Sequence, residues 1–156
     1  MLLKPIGLNQ GSFKEYGHVL SVFSGSPMAD DDVITYWGKT ARFDFVKNAS
    51  SGILHGHMKK MKTKKLERHI KTPEMLVALK NDAILVVAKP LDTIEQLNAF
   101  HIKQGDARVL HASTWHWTPF PIDTDTCEFL VVFQMGTEDK DLDIRTLQEE
   151  IMISMK

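Results

Sequence analysis

Nine short runs of β-forming residues constrain the fold of this chain more than any other feature. Turn formers separate most of them, for example Ser-Gly-Ser-Pro at 24–27, Asn-Ala-Ser-Ser-Gly at 48–52 and Gln-Gly-Asp at 104–106. Many short strands at regular spacing are typical of a β-sandwich or β-barrel. We therefore predict an all-β fold with strands in residues 17–23, 34–37, 42–46, 53–58, 75–79, 83–88, 97–102, 107–110 and 127–134.

Two of these runs predict a β-hairpin. Residues 75–79 and 83–88 flank the three-residue turn Lys80-Asn81-Asp82. Both runs are apolar enough to be buried on two faces or to line a core.

Helix is expected only near the two ends of the chain. Residues 10–16 predict one or two helical turns. In residues 143–151, Ile144, Leu147 and Ile151 recur at helical spacing, and Asp143 is available as an N-cap. We predict that this second segment is a helix packed on the outside of the barrel.

Composition limits the classes of protein and partner. The 156 residues suffice for one core and are too few for two ordinary domains, so residues 1–156 are expected to form a single domain. Lys and Arg total 19 against 20 acidic residues, which argues against a nucleic acid partner bound through phosphate neutralisation. The Lys-rich stretch 59–71 is expected to be a solvated strand edge and connecting loop, with attraction of a small anion as the functional alternative.

Cysteine content and hydropathy predict a cytoplasmic protein. The single cysteine, Cys127, excludes an internal disulfide, fits a reducing compartment and lies in an apolar run where an inert buried thiol is expected. The apolar part of the N-terminal segment is too short for a secretory signal, and no stretch reaches the roughly 18 apolar residues of a membrane span.

Two segments about forty residues apart predict a metal site. Side chains alternate along a strand, so Glu67 and His69 point the same way and Arg68 points the other. Glu74 opens the next apolar strand, where its carboxylate can approach the same point. In the second segment a turn at Gly105 and a short strand lead to His116, a fourth ligand from a neighbouring strand.

Two imidazoles and two carboxylates suit a borderline divalent ion such as nickel, zinc, manganese or iron, with open positions left for substrate.

His55 and His57 form a competing pair, because they have the same i, i+2 spacing. If their face is inward, one of them is placed to act as an acid or base. Trp115 and Trp117 flank His116, so on a regular strand their side chains point to the opposite face from that of His116. They are expected to pack away from the metal, with a dimer interface as one possible place.

The same segments resemble the two cupin motifs. Glu67-x-His69-x4-Glu74 looks like the first motif, G-x5-H-x-H-x3,4-E-x6-G, with Glu67 in place of the first histidine. Gly105-x5-His111-x-Ser113-x2-His116 is similar to the second, G-x5-P-x-G-x2-H-x3-N. The resemblance implies a single-domain, jelly-roll-like cupin barrel.

A more specific resemblance is to the ureidoglycolate lyase family. It is found in this order along the chain in residues 13–17, 66–69, 97–100, 114–120 and 136–143. The resemblance implies a homodimeric enzyme of allantoin and purine breakdown that splits ureidoglycolate into glyoxylate and urea. It also implies a metal bound by Glu67, His69, Glu74 and His116.

Ureidoglycolate cleavage needs a proton carrier and a partner for the substrate carboxylate. His111 and Glu74 are candidate proton carriers where they are not ligands. Lys62, Lys64 and Arg108 are candidate carboxylate partners, and the sequence does not distinguish among them.

Two alternative functions keep the same barrel. Residues 24–65 match the family pattern poorly, which allows a metal-binding cupin that binds or isomerises a sugar or sugar acid. The third hypothesis is a non-catalytic module that binds a small ligand.

Overall fold

A computed structural model describes residues 1–20, 26–38, 44–57 and 60–155 of the chain. Its two short helices are α1 (Gln10–Phe13) and α2 (Thr137–Lys140). The strands are β1 (Leu2–Leu3), β2 (Ile6–Gly7), β3 (Gly17–Val19), β4 (Ala29–Asp30), β5 (Thr35–Tyr36), β6 (Ala49–His57), β7 (Lys62–Arg68), β8 (Glu74–Lys80), β9 (Ala83–Ala88), β10 (Asn98–Ile102), β11 (Ala107–Leu110), β12 (Trp115–His116), β13 (Phe120–Pro121), β14 (Thr126–Gln134) and β15 (Asp143–Ile153).

Within these described ranges, the strands form two large sheets that face each other and a small β4–β5 ribbon. The larger sheet has the order β1-β15-β7-β12-β9-β10-β2, with β13 also paired to β9. The smaller has the order β3-β11-β8-β14-β6. The predicted all-β fold is confirmed.

The main core lies between the two sheets. The smaller sheet contributes residues such as Leu76 and Phe129, and the larger sheet contributes Leu85, Val87 and Phe100. Cys127 is fully buried in this core, as its apolar surroundings predict. At about 25 cal/mol per Å² of apolar surface removed from water, this layer is the main source of stability for the sandwich.

A second core covers the outer face of the larger sheet. Ile84 and Val86 alternate with the inward-facing residues of β9 and pack there with Trp115, Phe120 and Ile151. All six residues of β9 are therefore buried, which confirms that this run is apolar because both of its faces are covered.

The predicted hairpin of β8 and β9 is wrong. β8 pairs with β11 and β14 in the smaller sheet, whereas β9 pairs with β10, β12 and β13 in the larger sheet. The connection, in which Asn81 has a positive φ of 62°, takes the chain from one sheet to the other. Two consecutive apolar strands are compatible with either arrangement. In a hairpin and in a crossing alike, each strand buries its apolar side chains in a core.

The predicted C-terminal helix is also wrong. The segment forms β15, which pairs antiparallel with β7 and parallel with β1. Leu147 and Ile151 are four apart, so they share a face in a strand as well as in a helix, and both pack in the outer core. A register shift between Thr146 and Ile151 interrupts the strict alternation that would have indicated a strand.

Other differences concern strand limits. The turn predicted at 48–52 is largely strand, because β6 begins at Ala49 and pairs along the whole of β14. β7 is not an edge strand, since β15 and β12 flank it, although Lys62, Lys64 and Lys65 are exposed as expected. The short N-terminal helix is confirmed as α1, capped by the Asn9 side chain.

The remaining strand predictions agree within one or two residues where the chain is described, except that residues 44–46 of the predicted strand 42–46 are not strand. Parts of the predicted strands at 17–23, 42–46 and 53–58 lie outside the described residues. None of the described helices is both long enough and apolar enough to cross a bilayer.

Candidate metal centre

Three strands bring the predicted ligands to one end of the space between the sheets. His116 on β12 lies directly opposite Glu67 on β7 in the larger sheet. His69 follows the end of β7, and Glu74 is the first residue of β8 in the smaller sheet. Side chains on facing strands of the two sheets therefore converge, as the sequence spacing predicts.

His69, Glu74 and His116 form a compact buried cluster. One potential ligand atom of each lies within 4.8 Å of those of the other two. The Glu74 Oε2 atom is 3.0 Å from His116 Nε2 and 3.8 Å from His69 Nε2. Two imidazole nitrogens and a carboxylate oxygen at this spacing are a donor set that a divalent ion of the zinc, nickel, manganese or iron type accepts.

Backbone carbonyls fix the orientation of both imidazoles. The Nδ1 atom of His69 lies 2.9 Å from the Asp141 carbonyl oxygen, and that of His116 lies 3.0 Å from the Thr114 carbonyl oxygen. Since a carbonyl only accepts, each Nδ1 carries the proton and donates. The Nε2 atoms therefore face the cluster, where each can ligate a metal once it carries no proton.

The chain also fixes the loop that carries His69. The Asp141 carboxylate accepts hydrogen bonds of 2.9 Å from the backbone N–H groups of Ile70 and Lys71. On the other side, the Ser113 N–H donates to the His69 carbonyl. These contacts come from residues more than forty positions away, so the local sequence gives no signal of them.

Two atoms of the cluster fit a missing positive partner. Among the described residues, Glu74 Oε2 and His116 Nε2 are buried and have no partner apart from their own 3.0 Å contact. Buried polar atoms with so few partners are costly. The three residues therefore fit a divalent ion, which would satisfy both atoms at once.

Charge dominates the protonation of this cluster. Burial alone would lower the pKa of His116, but the neighbouring Glu74 carboxylate outweighs it and raises this pKa to about 9. For Glu74, burial acts to raise the pKa, and the charges of His116, His69 and Arg108 overcome it, so the pKa is lowered. Without metal, Glu74 and His116 are therefore an ion pair at neutral pH.

The cluster opens onto a cavity of about 270 Å³. Glu67, His69 and Glu74 line it together with residues of β6 and β14, with one residue of α2 and with one from the link between α2 and β15. These are Gly52, Ile53, Leu54, Val131, Phe133, Glu138 and Leu142. Glu67 is one-quarter exposed, and its Oε1 atom is 3.8 Å from His116 Nε2. Glu67 thus stands at the edge of the cluster with its carboxylate reachable from the cavity.

His111 is not among the residues that line this cavity. It follows Leu110, which pairs with Glu74, so regular alternation turns His111 toward the opposite face. Its ring packs edge-on against His18 with centroids 4.9 Å apart. Burial, followed by the charge of His18, lowers the pKa of His111.

The competing histidine pair faces away from the cluster. His55 and His57 are exposed on β6, whereas Leu54 between the sheets lines the cavity. The Nδ1 atom of His55 lies 3.9 Å from Glu128 on the neighbouring strand. The i, i+2 spacing of these histidines therefore reflects one solvated face of a strand.

The structure separates the three candidate partners for a substrate carboxylate. Lys62 and Lys64 are exposed on β7, and Lys62 forms an ion pair with Glu150 at 2.8 Å. Arg108 on β11 is fully buried. Arg108 is two residues from the apolar Leu110, so both side chains point to the same face of the strand. This spacing is the sequence signal that could have predicted an inward-facing Arg108.

Trp115 and Trp117 pack away from the cluster, as their parity predicts. Trp115 is fully buried within the chain, and the guanidinium groups of Arg68 and Arg145 lie 4.4 and 4.7 Å from the centre of its ring. Its indole N–H donates to the Leu91 carbonyl at 2.9 Å. Trp115 therefore anchors the strand that presents His116.

Comparison with protein families decides what the chain is related to. Residues 1–154 match the family model described as ureidoglycolate lyase. The chain belongs to the ureidoglycolate lyase family. Among curated proteins there is no match.

Solved structures similar to this ureidoglycolate lyase family member include oxalate decarboxylases. That from Bacillus subtilis has 18% identity and a TM-score of 0.46 and covers 65% of this chain and 24% of its own. The formate complex of the Lactobacillus farciminis enzyme has the same identity and TM-score and covers 65% of this chain and 27% of its own. The present chain spans about a quarter of the length of these proteins.

Metal binding by this family member is expected to strengthen with pH. Because the pKa of His116 is raised to about 9, its side chain is protonated at neutral pH and must lose a proton to ligate. The apparent affinity should rise about tenfold per pH unit between pH 7 and 8 and level off above pH 9. Competition with a chromogenic chelator at several pH values measures this, and an affinity independent of pH would contradict it.

Proposed function

We propose that this protein is a metal-dependent ureidoglycolate lyase, which splits ureidoglycolate into glyoxylate and urea in allantoin breakdown. The observation that carries the proposal is the convergence of His69, Glu74 and His116 on one cavity, in a chain that matches the family over residues 1–154. At about 30 Å³ per water, the cavity holds roughly nine waters. Ureidoglycolate has about as many non-hydrogen atoms.

The reaction moves one proton and breaks one bond. The hydroxyl group loses its proton, its oxygen becomes the aldehyde oxygen of glyoxylate, and the C–N bond breaks. The departing nitrogen takes up the bonding pair and a proton to become urea. A single residue that accepts the first proton and donates it to nitrogen balances the reaction.

His69, Glu74 and His116 are the residues that would hold the metal. A divalent ion bound there supplies a Lewis acid that lowers the pKa of the substrate hydroxyl. The Asp141 and Thr114 carbonyls hold the two imidazoles in the required tautomer. The apolar wall from β6 and β14 excludes water from the reacting end of the substrate.

Glu67 is the proton carrier in this proposal. It lines the cavity, it is partly exposed, and it lies outside the three-residue cluster while its carboxylate is close to His116. Glu74 is occupied by the two histidines, and His111 does not line the cavity. The sequence motifs predict two alternatives. In one, Glu67 is a fourth metal ligand, and in the other, Glu74 or His111 carries the proton.

A urea-release assay on ureidoglycolate, paired with elemental analysis, tests these roles. Wild-type protein is expected to contain one divalent ion per chain and to release urea. Glu67→Gln should keep the ion and lose urea release by about 10²–10⁴-fold, the usual contribution of general acid–base catalysis. Loss of the ion in Glu67→Gln would instead make Glu67 a ligand.

Other outcomes would assign the barrel differently. A bound ion with no urea release would reject this substrate and favour the sugar or sugar-acid alternative. Neither ion nor turnover after metal supplementation would leave a small-ligand binding module. The homodimer and the cytoplasmic location stay predictions.

A further inference from the structure

The smaller sheet ends in a long unpaired edge. β6 is the last strand in the order β3-β11-β8-β14-β6, and all nine of its residues have partners on β14. Among the described residues, none forms a hydrogen bond with the other edge of this strand. β6 therefore presents a row of backbone N–H and C=O groups with which a further strand can pair.

The strand at the opposite end of the sheet is protected. β3 has only three residues, and the Val19 N–H donates to the Gln10 side chain at 2.7 Å. In contrast, residues 49–57 of β6 contain no Lys, Arg, Asp, Glu or Pro, and their register with β14 has no bulge. Charges, proline and bulges are the features that keep an edge strand unpaired, so β6 is suited to pairing.

A row of apolar side chains on the outer face of the smaller sheet leads to this edge. Ala107, Val77, Leu130 and Ile53 are successive partners across four strands. The first three are half-buried, whereas Ile53 is 55% exposed. Among the described strands, the row therefore ends at an isoleucine with no strand beyond it.

A second copy of the same edge completes this row. Antiparallel pairing about a two-fold axis at Ile53, the middle residue of β6, places this side chain beside Ile53 of the other copy. His55 then lies opposite Ser51, and no two like charges meet. The apolar row continues from one chain into the next. Because the contact uses the same edge in both copies, it closes as a dimer and cannot extend into a fibre.

The edge of β6 also borders the cavity that holds the metal cluster. Gly52, Ile53 and Leu54 all line this cavity, although consecutive residues of a strand alternate between its faces. The cavity therefore reaches the edge of the strand itself. A Cβ atom added to Gly52 would meet nothing within 4 Å, so the space beside this residue is open. In the two-fold register, Leu54 of the second copy lies opposite Gly52 and faces that space.

The size of the edge suits a stable contact. Nine paired residues at about 3.3 Å each form a contact about 30 Å long. A standard interface buries about 800 Å² on each partner, so side chains beside the strand must contribute as well. Val46 and Met135 flank the Ala49 end and are 93% and 55% exposed. Both are apolar and available to such an interface.

We propose that β6 pairs antiparallel with β6 of a second copy of this chain, about a two-fold axis at Ile53, and that Leu54 of each copy completes the cavity wall of the other. This inference places the interface of the predicted homodimer. It does not depend on the identity of the substrate.

Sedimentation velocity of the metal-loaded full chain, over a range of concentrations, tests the pairing. Wild type is expected to sediment with twice the mass of one chain. In Ile53→Lys the two introduced ammonium groups face each other across the axis, so the dissociation constant of the dimer should rise about 100-fold or more. An equimolar mixture of Ile53→Lys and Ile53→Glu should form the dimer again, because opposite charges then meet at the axis.

Leu79→Lys is the matched control. Leu79 is 43% exposed in the same sheet but lies on β8, away from the free edge, so this variant should remain a dimer. Circular dichroism checks that each variant is folded, which is expected because Ile53 is exposed in the single chain. Ile53→Lys should also keep its metal, since all three clustered ligands come from one chain.

Several outcomes would overturn the inference. A wild type that is monomeric at every concentration would do so, and so would a dimer that Ile53→Lys leaves intact. Equal weakening by Leu79→Lys would place the contact on the outer face of the sheet instead of its edge. A charge mixture that stays monomeric would exclude the axis at Ile53. If wild type releases no urea but Ile53→Lys dissociates its dimer, the lyase proposal fails and the edge contact stands.

Discussion

His116→Ala is expected to retain no divalent ion after dialysis and to release no measurable urea. His116 contributes a buried Nε2 atom to the cluster, and its orientation is set by the Thr114 carbonyl. Loss of a residue that only supports a ligand reduces metal affinity about 10- to 100-fold, so loss of a ligand should exceed that range. Elemental analysis and the urea assay on the same preparation measure both effects.

The matched control for this experiment is His57→Ala. His57 is exposed on the outer face of β6, so its loss should leave metal content and urea release unchanged. His69→Ala repeats the test from another strand end, and circular dichroism checks that each variant is folded. Full metal content in folded His116→Ala would exclude the proposed centre, whatever the activity.

Trp115→Ala is expected to lower the free energy of unfolding by about 3–5 kcal/mol, the usual range for truncating a buried large aromatic residue. The ring is fully buried in the outer core, and the guanidinium groups of Arg68 and Arg145 both stack on it. Its removal leaves a cavity and deprives both guanidinium groups of their stacking partner. Guanidinium chloride titration of the metal-free protein measures the change.

Trp117→Ala is the matched comparison. Trp117 packs against the same core but is only partly buried, so its truncation should be less destabilising. Trp115→Phe should fall between the wild type and Trp115→Ala, because it keeps most of the apolar volume. Equal midpoints for Trp115→Ala and wild type would contradict the role of this ring in the outer core.

Sequence patterns located the site better than they located the strand partners. The spacing of Glu67 and His69 on one strand, and the parity of Trp115 against His116, depend only on alternation along a strand, and the structure confirms where the side chains face. Alternation also predicts that Arg108 points to the inner face of the smaller sheet, because it is two residues from Leu110 on the same strand. Metal binding by these side chains stays a prediction.

Pairing between distant segments is what the sequence could not supply. Whether β8 and β9 form a hairpin or cross between sheets depends on where β11 and β14 lie. The helical spacing in the last segment gave the wrong element because β7 and β1 supply partners for a bulged strand. The Asp141 carbonyl that orients His69 is 72 residues away and leaves no local pattern.

The place of β7 in the sheet has a consequence for biosynthesis. The strand that carries Glu67 pairs with β12 and β15, both of which leave the ribosome long after β7 itself. His69 likewise obtains its orienting carbonyl from Asp141, just before β15. A nascent chain that ends before residue 141 therefore lacks the carbonyl that orients His69, so the ligand cluster takes its final arrangement only after this late part of the chain has been made.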